Sequence, residues 1–142
     1  MNLSTFFKQN KKQRENTTYP VTSAFTDENG EIAEWTIRPL TSRETENIRD
    51  TCMIDIPIKG KPGAYRQKLD AAKYICRLMA ASVVEPDLYN AELQDTYGVN
   101  TAEELITEMI DNPGEYNDFA AFIQKFNGFT ETMDEKVEEA KN

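Results

Sequence analysis

Leu93-Gln94-Asp95-Thr96-Tyr97-Gly98-Val99 opens the stretch that decides the fold. A helical pattern over Glu103–Met109 follows, then Pro113-Gly114-Glu115-Tyr116, then a second helical pattern that closes on Asn127-Gly128-Phe129. Asn90 can cap a short helix that stops at Gly98, which places Leu93 and Tyr97 on one face. Thr101-x-x-Glu104 is a capping box, and Leu105, Ile106, Met109 and Ile110 make the buried edge of the helix behind it. Asn112-Pro113 opens the next helix, with proline at a position where its missing amide costs nothing. Tyr116, Phe119, Ile123 and Phe126 line that helix, Phe122 lies beside them, and Gly128 is its stop.

Upstream, residues 66–84 read as a longer helix with Leu69, Ala72, Cys76, Met79 and Val83 inward, ended by Pro86. Before it, Gly60 and Pro62-Gly63 make a basic loop with Lys59 and Lys61. Met53–Ile58 reads as a short strand, a candidate third strand for the sheet. Thr41-x-x-Glu44 is a capping box that starts a helix running to about Cys52, with Ile48 inward. Residues 20–38 alternate like a β-hairpin. Val21, Ser23 and Phe25 share one face, Ala33, Trp35 and Ile37 another, and Asp27-Glu28-Asn29-Gly30 is the turn. Pro39 stops the second strand. Residues 2–9 form a short helix with Leu3, Phe6 and Phe7 on one face, followed by a polar, basic linker from Lys8 to Thr18. Either this helix is a sticky element on a tether, or it folds back against the domain. Residues 130–142 hold a last acidic helix with only Met133 and Val137 to anchor it, a frayed or disordered tail.

The expected architecture is a single α+β domain over residues 1–142. A small antiparallel hairpin sheet stands in the N-terminal half, in residues 19–60, and a predominantly helical region spans 64–129. No apolar run is long enough to span a membrane and no signal-peptide pattern opens the chain, so a cytoplasmic location is expected. Two cysteines, Cys52 and Cys76, suit free thiols in that compartment. The chain has no histidine, which excludes Ser–His, Cys–His and His–metal chemistry within one chain. Paired carboxylates such as Glu103/Glu104 point in different directions on a helix and read as a solvated face. The Asp111–Glu115 oxygens lack EF-hand spacing, and the Gly60–Gly63 loop lacks the phosphate-loop pattern. No catalytic residue, metal ligand or cofactor site is expected.

Charge is unevenly placed. Residues 1–83 hold thirteen Lys/Arg and ten Asp/Glu, whereas residues 84–142 hold three Lys/Arg and fifteen Asp/Glu. So acidic a half disfavours nucleic acid and anionic membranes. It suits a solubilising role or a basic partner, and the plainer account is solubility alone. Phe122 and Phe129 lie off the core line of their helix and are candidate anchors for a partner's pocket.

The ordered motifs Trp35-Thr36-Ile37-Arg38-Pro39-Leu40-Thr41-Ser42, Leu93 to Val99, Glu103 to Met109, Pro113 to Tyr116 and Asn127 to Phe129 resemble the XkdN-like tail assembly chaperones of bacteriophages and prophages. The resemblance runs from about residue 31 to 129 and departs at Ile110-Asp111-Asn112, where the family is expected to stay apolar. It implies a protein of the host cytoplasm that acts in tail assembly and is not expected in the mature virion. It implies the tape measure protein as partner, with the tail tube protein a second, and it leaves room for a homo-oligomer. On this reading the partner-binding candidates are Leu3, Phe6, Phe7, Tyr97, Tyr116, Phe122 and Phe129. The alternative is a structural tail completion or connector protein retained in the particle.

Overall fold

The structure, a computed structural model, describes residues 1–129. The expected C-terminal helix at 130–142 lies outside the described residues. The α+β expectation holds: among the described residues, two small antiparallel sheets and five α-helices surround one core.

The hairpin forms, but its first strand is displaced. β1 is Thr17–Tyr19 and pairs antiparallel with β2, Trp35–Ile37, Tyr19 facing Trp35 and Thr17 facing Ile37. What reads as the end of a basic linker is therefore a strand, and Pro20, which has no amide to donate, ends it. Val21 and Thr22 are buried beyond it. The arms meet again near the turn, where the Ala33 amide donates to the Phe25 carbonyl at 2.9 Å and Thr26 bridges Ile32. In the turn, the Asp27 carboxylate accepts from the amides of Asn29 and Glu31, and Gly30 adopts φ +78°, a conformation open to glycine.

The third strand of this sheet is not Met53–Ile58. It is β5, Val83–Glu85, which pairs antiparallel with β2 and gives the order β1-β2-β5. β3, Met53–Pro57, instead pairs with β4, Tyr65–Leu69, as a separate two-stranded hairpin. The sequence favours a long helix that starts within residues 65–69, since Arg, Gln, Lys and Leu are good helix formers. Five paired residues with β3 outweigh that propensity. The helix, α2, is consequently shorter, Ala71–Ser82, with the Asp70 side chain accepting the Lys73 amide as its cap. The later start rotates the inward stripe. Tyr74, Leu78, Met79 and Ser82 are buried, while Ala72 is exposed in the first turn.

The other helix boundaries follow the capping signals. α1, Ser42–Asp50, has the full capping box between Thr41 and Glu44; it ends just before Cys52, which is fully buried, with Ile48 half-buried. α3, Ala91–Tyr97, is capped by Asn90 and ends on Gly98 at φ +67°. α4, Ala102–Met109, is capped by Thr101, whose hydroxyl meets Glu104 from both its amide and its carboxylate. α5, Pro113–Phe126, is capped by Asn112. Trp35 and Ile37 of the sheet, Leu78 and Met79 of α2, Leu105 and Ile106 of α4, and Phe119 and Ile123 of α5 form the centre of the core.

Both ends of α5 are tied to the N-terminal part of the chain. The Glu115 carboxylate accepts the Thr22 hydroxyl at 2.7 Å and the Ser23 amide at 2.8 Å. These donors hold its pKa below the ordinary carboxylate value, the Ser23 amide contributing most. At the other end, Asn127 Oδ1 accepts the Leu40 amide at 2.7 Å and its Nδ2 donates to the Ile123 carbonyl at 2.8 Å. Arg14 donates to the Leu40 carbonyl, so the basic segment is itself anchored.

Candidate functional site

The apolar candidate is a groove of about 350 Å³ between the hairpin, the β5 end and helices α3 and α4. Trp35, from β2, supplies its floor and is 2% exposed. Phe25 and Ala33 enter from the two arms of the hairpin, Pro86 from the chain after β5, Leu93 and Tyr97 from α3, and Met109 from the end of α4. Leu93 and Tyr97 share a face because they are four residues apart on a helix. Asn90 and Gly98 fix that helix at both ends, so the position of the face is set by local chemistry. Glu34 and Glu85, both exposed, stand at the rim. An apolar floor with carboxylates at its edge accepts an apolar side chain flanked by cations.

A second depression, about 530 Å³, is of opposite character. Lys11, Arg14 and Arg43 line it with Leu40, Thr41, Asn127 and Phe129. Beside it, Arg38 and Glu44 form a two-bond ion pair at 2.6 and 3.1 Å. The Arg38 guanidinium, helped by Thr41, pulls the Glu44 pKa down to about 2. Two features that read from the sequence as local, the Arg-Pro-Leu-Thr-Ser motif and the capping box, are thus one interaction.

The structure does not gather the candidate partner-binding residues into one site. Leu3, Phe6 and Phe7 sit on or beside two short 3-10 turns, Leu3–Phe6 and Lys8–Asn10. They are 77%, 70% and 46% exposed, so these three side chains are not packed into the core. Tyr97 lies in the apolar groove and Phe129, 37% exposed, at the cationic depression. Tyr116 is half-buried beside Cys76 and Thr107. Burial, reinforced by Cys76, pushes its phenol up to about 12. Phe122 stacks between Tyr19 (centroids 4.1 Å, 16°) and Phe126 (5.7 Å, 10°), in a row of rings that continues to Phe119. Phe25, Trp35, Pro86, Leu93 and Met109 are the groove residues that sequence reasoning did not select. They come from separate segments of the chain, and only Trp35, Leu93 and Met109 stood in a motif.

Among the described residues no cluster of His, Cys, Asp and Glu could hold a metal ion, and no helix is long and apolar enough to cross a membrane. The family model of the phage XkdN-like tail assembly chaperone protein matches residues 3–141. The chain belongs to that family. Among similar proteins of Bacillus subtilis (strain 168), the phage-like element PBSX protein XkdN is 26% identical over 141 residues, covering 99% of this chain and 93% of its own length. The uncharacterized protein YqbN is 21% identical over 140 residues with the same coverage. The crystal structure of the protein yqbn shares the fold. It has a TM-score of 0.74 at 19% identity and covers 91% of this chain and 98% of its own. The XkdN-like motifs now have physical content. Arg38 and Thr41 fix the start of α1, Tyr97-Gly98 closes α3, and Glu115 and Asn127 bind the ends of α5 to the sheet region.

Proposed function

We propose that this tail assembly chaperone binds the tape measure protein and keeps it soluble while the tail assembles, without catalysing a reaction. The observation that carries the reading is the acid-rimmed apolar groove around Trp35, Leu93 and Tyr97 in a chain of this family. Such a groove suits a client segment that presents an apolar side chain between basic residues. The anionic surface around it, ten Asp and Glu with no Lys or Arg over residues 78–124, keeps a loaded complex hydrated. The host cytoplasm is the place of action, and the tail tube protein is the candidate to which the client is handed.

Co-expression with the tape measure protein tests this. The client should become soluble and co-purify, and Tyr97→Ala should weaken capture about tenfold or more, the scale of a lost aromatic anchor. A client that stays insoluble and unbound beside well-folded wild-type protein would refute the reading. Finding the protein in purified particles would point instead to a tail completion or connector role.

A further inference from the structure

The cationic depression beside α1 carries charge that the described part of the chain does not offset. Lys11, Arg14 and Arg43 line it, and a smaller hollow of about 340 Å³ next to it adds Lys8 and Lys12. All five are exposed. Arg14 donates to the Leu40 carbonyl, a neutral acceptor. Glu44, the acid of the smaller hollow, is taken up by Arg38 in the one ion pair among the described residues. The end of α5 is built into the same wall. The Gly128 amide donates to the Lys125 carbonyl and the Phe129 amide to the Gln124 carbonyl, both at 3.0 Å, with Gly128 at φ +84°. This paired cap fixes the direction in which the backbone leaves the helix. It brings the chain to Phe129, a residue of the depression itself. The next residues, 130–142, hold five Asp/Glu (Glu131, Asp134, Glu135, Glu138 and Glu139) and two Lys.

We propose that the acidic segment 130–142 docks on this depression of its own chain, setting Glu131, Asp134 and Glu135 against Lys11, Arg14 and Arg43. Reach is not limiting. A chain spans at most about 3.3–3.6 Å per residue, so the stretch from Phe129 to Glu135 reaches about 20 Å. Tethering holds a short attached segment at an effective concentration on the order of millimolar, so contacts too weak to hold a separate peptide suffice. Exposed charge pairs each contribute little and are screened by salt, so the contact is reversible and salt-sensitive. Arg14 is fixed to Leu40, so the docked segment straps the basic N-terminal stretch and the start of α1 to the end of α5. It covers a basic face of an acidic protein and keeps the acidic surfaces of other molecules off it. The depression shares no lining residue with the apolar groove, so the proposal stands or falls apart from client capture.

The test is zero-length cross-linking of the whole chain. A carbodiimide activates a carboxylate, and a lysine amine in contact with it displaces the reagent to form an amide that peptide mass mapping locates. In about 0.1 M NaCl, Lys11 and Lys12 should link to Glu131, Asp134 or Glu135 within the monomer, at a yield unchanged by a roughly tenfold dilution. Links to Lys125, exposed on α5 just before the segment, report chance encounters of a tethered acid. The ratio of Lys11 and Lys12 links to Lys125 links should fall about fivefold or more in about 1 M NaCl, where the screening length drops from about 10 Å to about 3 Å. Arg43→Gln removes a cation but no reactive group and should lower the ratio about threefold, the scale of one exposed charge pair. Arg14→Gln with Arg43→Gln should lower it further. Circular dichroism checks folding, and Arg43→Gln alone carries the test if the double variant fails to fold. Links confined to cross-linked dimers would seat a second copy's acids on the depression. Lys11 and Lys12 left unlinked would leave it open to an acidic segment of another protein. Either result, or a ratio indifferent to salt and to Arg43→Gln, would overturn the proposal.

Discussion

Phe122→Ala should unfold the protein more readily, although the ring lies off the core line of α5. Complete truncation of a fully buried phenylalanine costs about 3–5 kcal/mol. Phe122 is half-buried, which halves that figure to about 2 kcal/mol. Its place between Tyr19 and Phe126, with centroids at 4.1 and 5.7 Å, adds ring–ring coupling of about 0.5–1.5 kcal/mol per pair. The two pairs together add about 1–3 kcal/mol, so the loss is about 3–5 kcal/mol, a large part of the roughly 5–15 kcal/mol that holds a domain folded. Urea denaturation of wild type and variant measures it, with the slope of the transition unchanged. A double-mutant cycle with Tyr19→Ala isolates the coupling, expected at about 1 kcal/mol. A loss below about 0.5 kcal/mol, in the range of ordinary surface substitutions, would refute the stacked-ring account and return Phe122 to the set of free anchors. Weakened client capture by Phe122→Ala therefore means little until its stability is known, whereas Tyr97 faces the groove.

Other outcomes follow from the caps and titrating groups. Thr41→Ala removes the hydroxyl that accepts the Glu44 amide at 3.1 Å and should lower stability by about 1 kcal/mol in thermal or urea unfolding. Glu44, with its folded-state pKa lowered to about 2, contributes stability that is fully present above its unfolded value of 4.5 and is lost as pH falls from there towards 2. Both partners are more than a third exposed, so solvent screening limits the effect to about 1 kcal/mol; Glu44→Gln should flatten that acid limb of the stability–pH curve. Tyr116, pushed up to about 12, should ionise late in an ultraviolet titration. Stability that its neutral phenol contributes below pH 10 should fall as pH rises from 10 towards 12, a limb that Tyr116→Phe removes.

The helical half was legible because its signals are local. Thr41-x-x-Glu44, Asn90, Thr101 and Asn112-Pro113 each satisfy amides within one turn, so four residues suffice to place a boundary. The sheet was less so, since strand identity is decided by a partner far along the chain. Thr17–Tyr19 is too short and polar to announce itself beside a run of lysines, and it becomes a strand because Trp35–Ile37 lies next to it. Tyr65–Leu69 has helical propensity, yet pairs with Met53–Pro57. Val83–Glu85 reads as a helix end and joins the sheet through β2. The groove inherits this difficulty. Tyr97 was found from its motif, but Phe25, Pro86 and Met109 become its neighbours only after the sheet and helices have assembled.

The bonds that Glu115 and Asn127 make to Thr22 and Leu40 close loops of 93 and 87 residues. A chain emerging from the ribosome cannot make either one until α5 has left the exit tunnel. Nor can Phe119, which is fully buried against Trp35 with ring centroids at 6.1 Å, cover that indole any sooner. In a partly synthesised chain that lacks α5, the Trp35 indole is without its Phe119 cover, so this part of the core closes late.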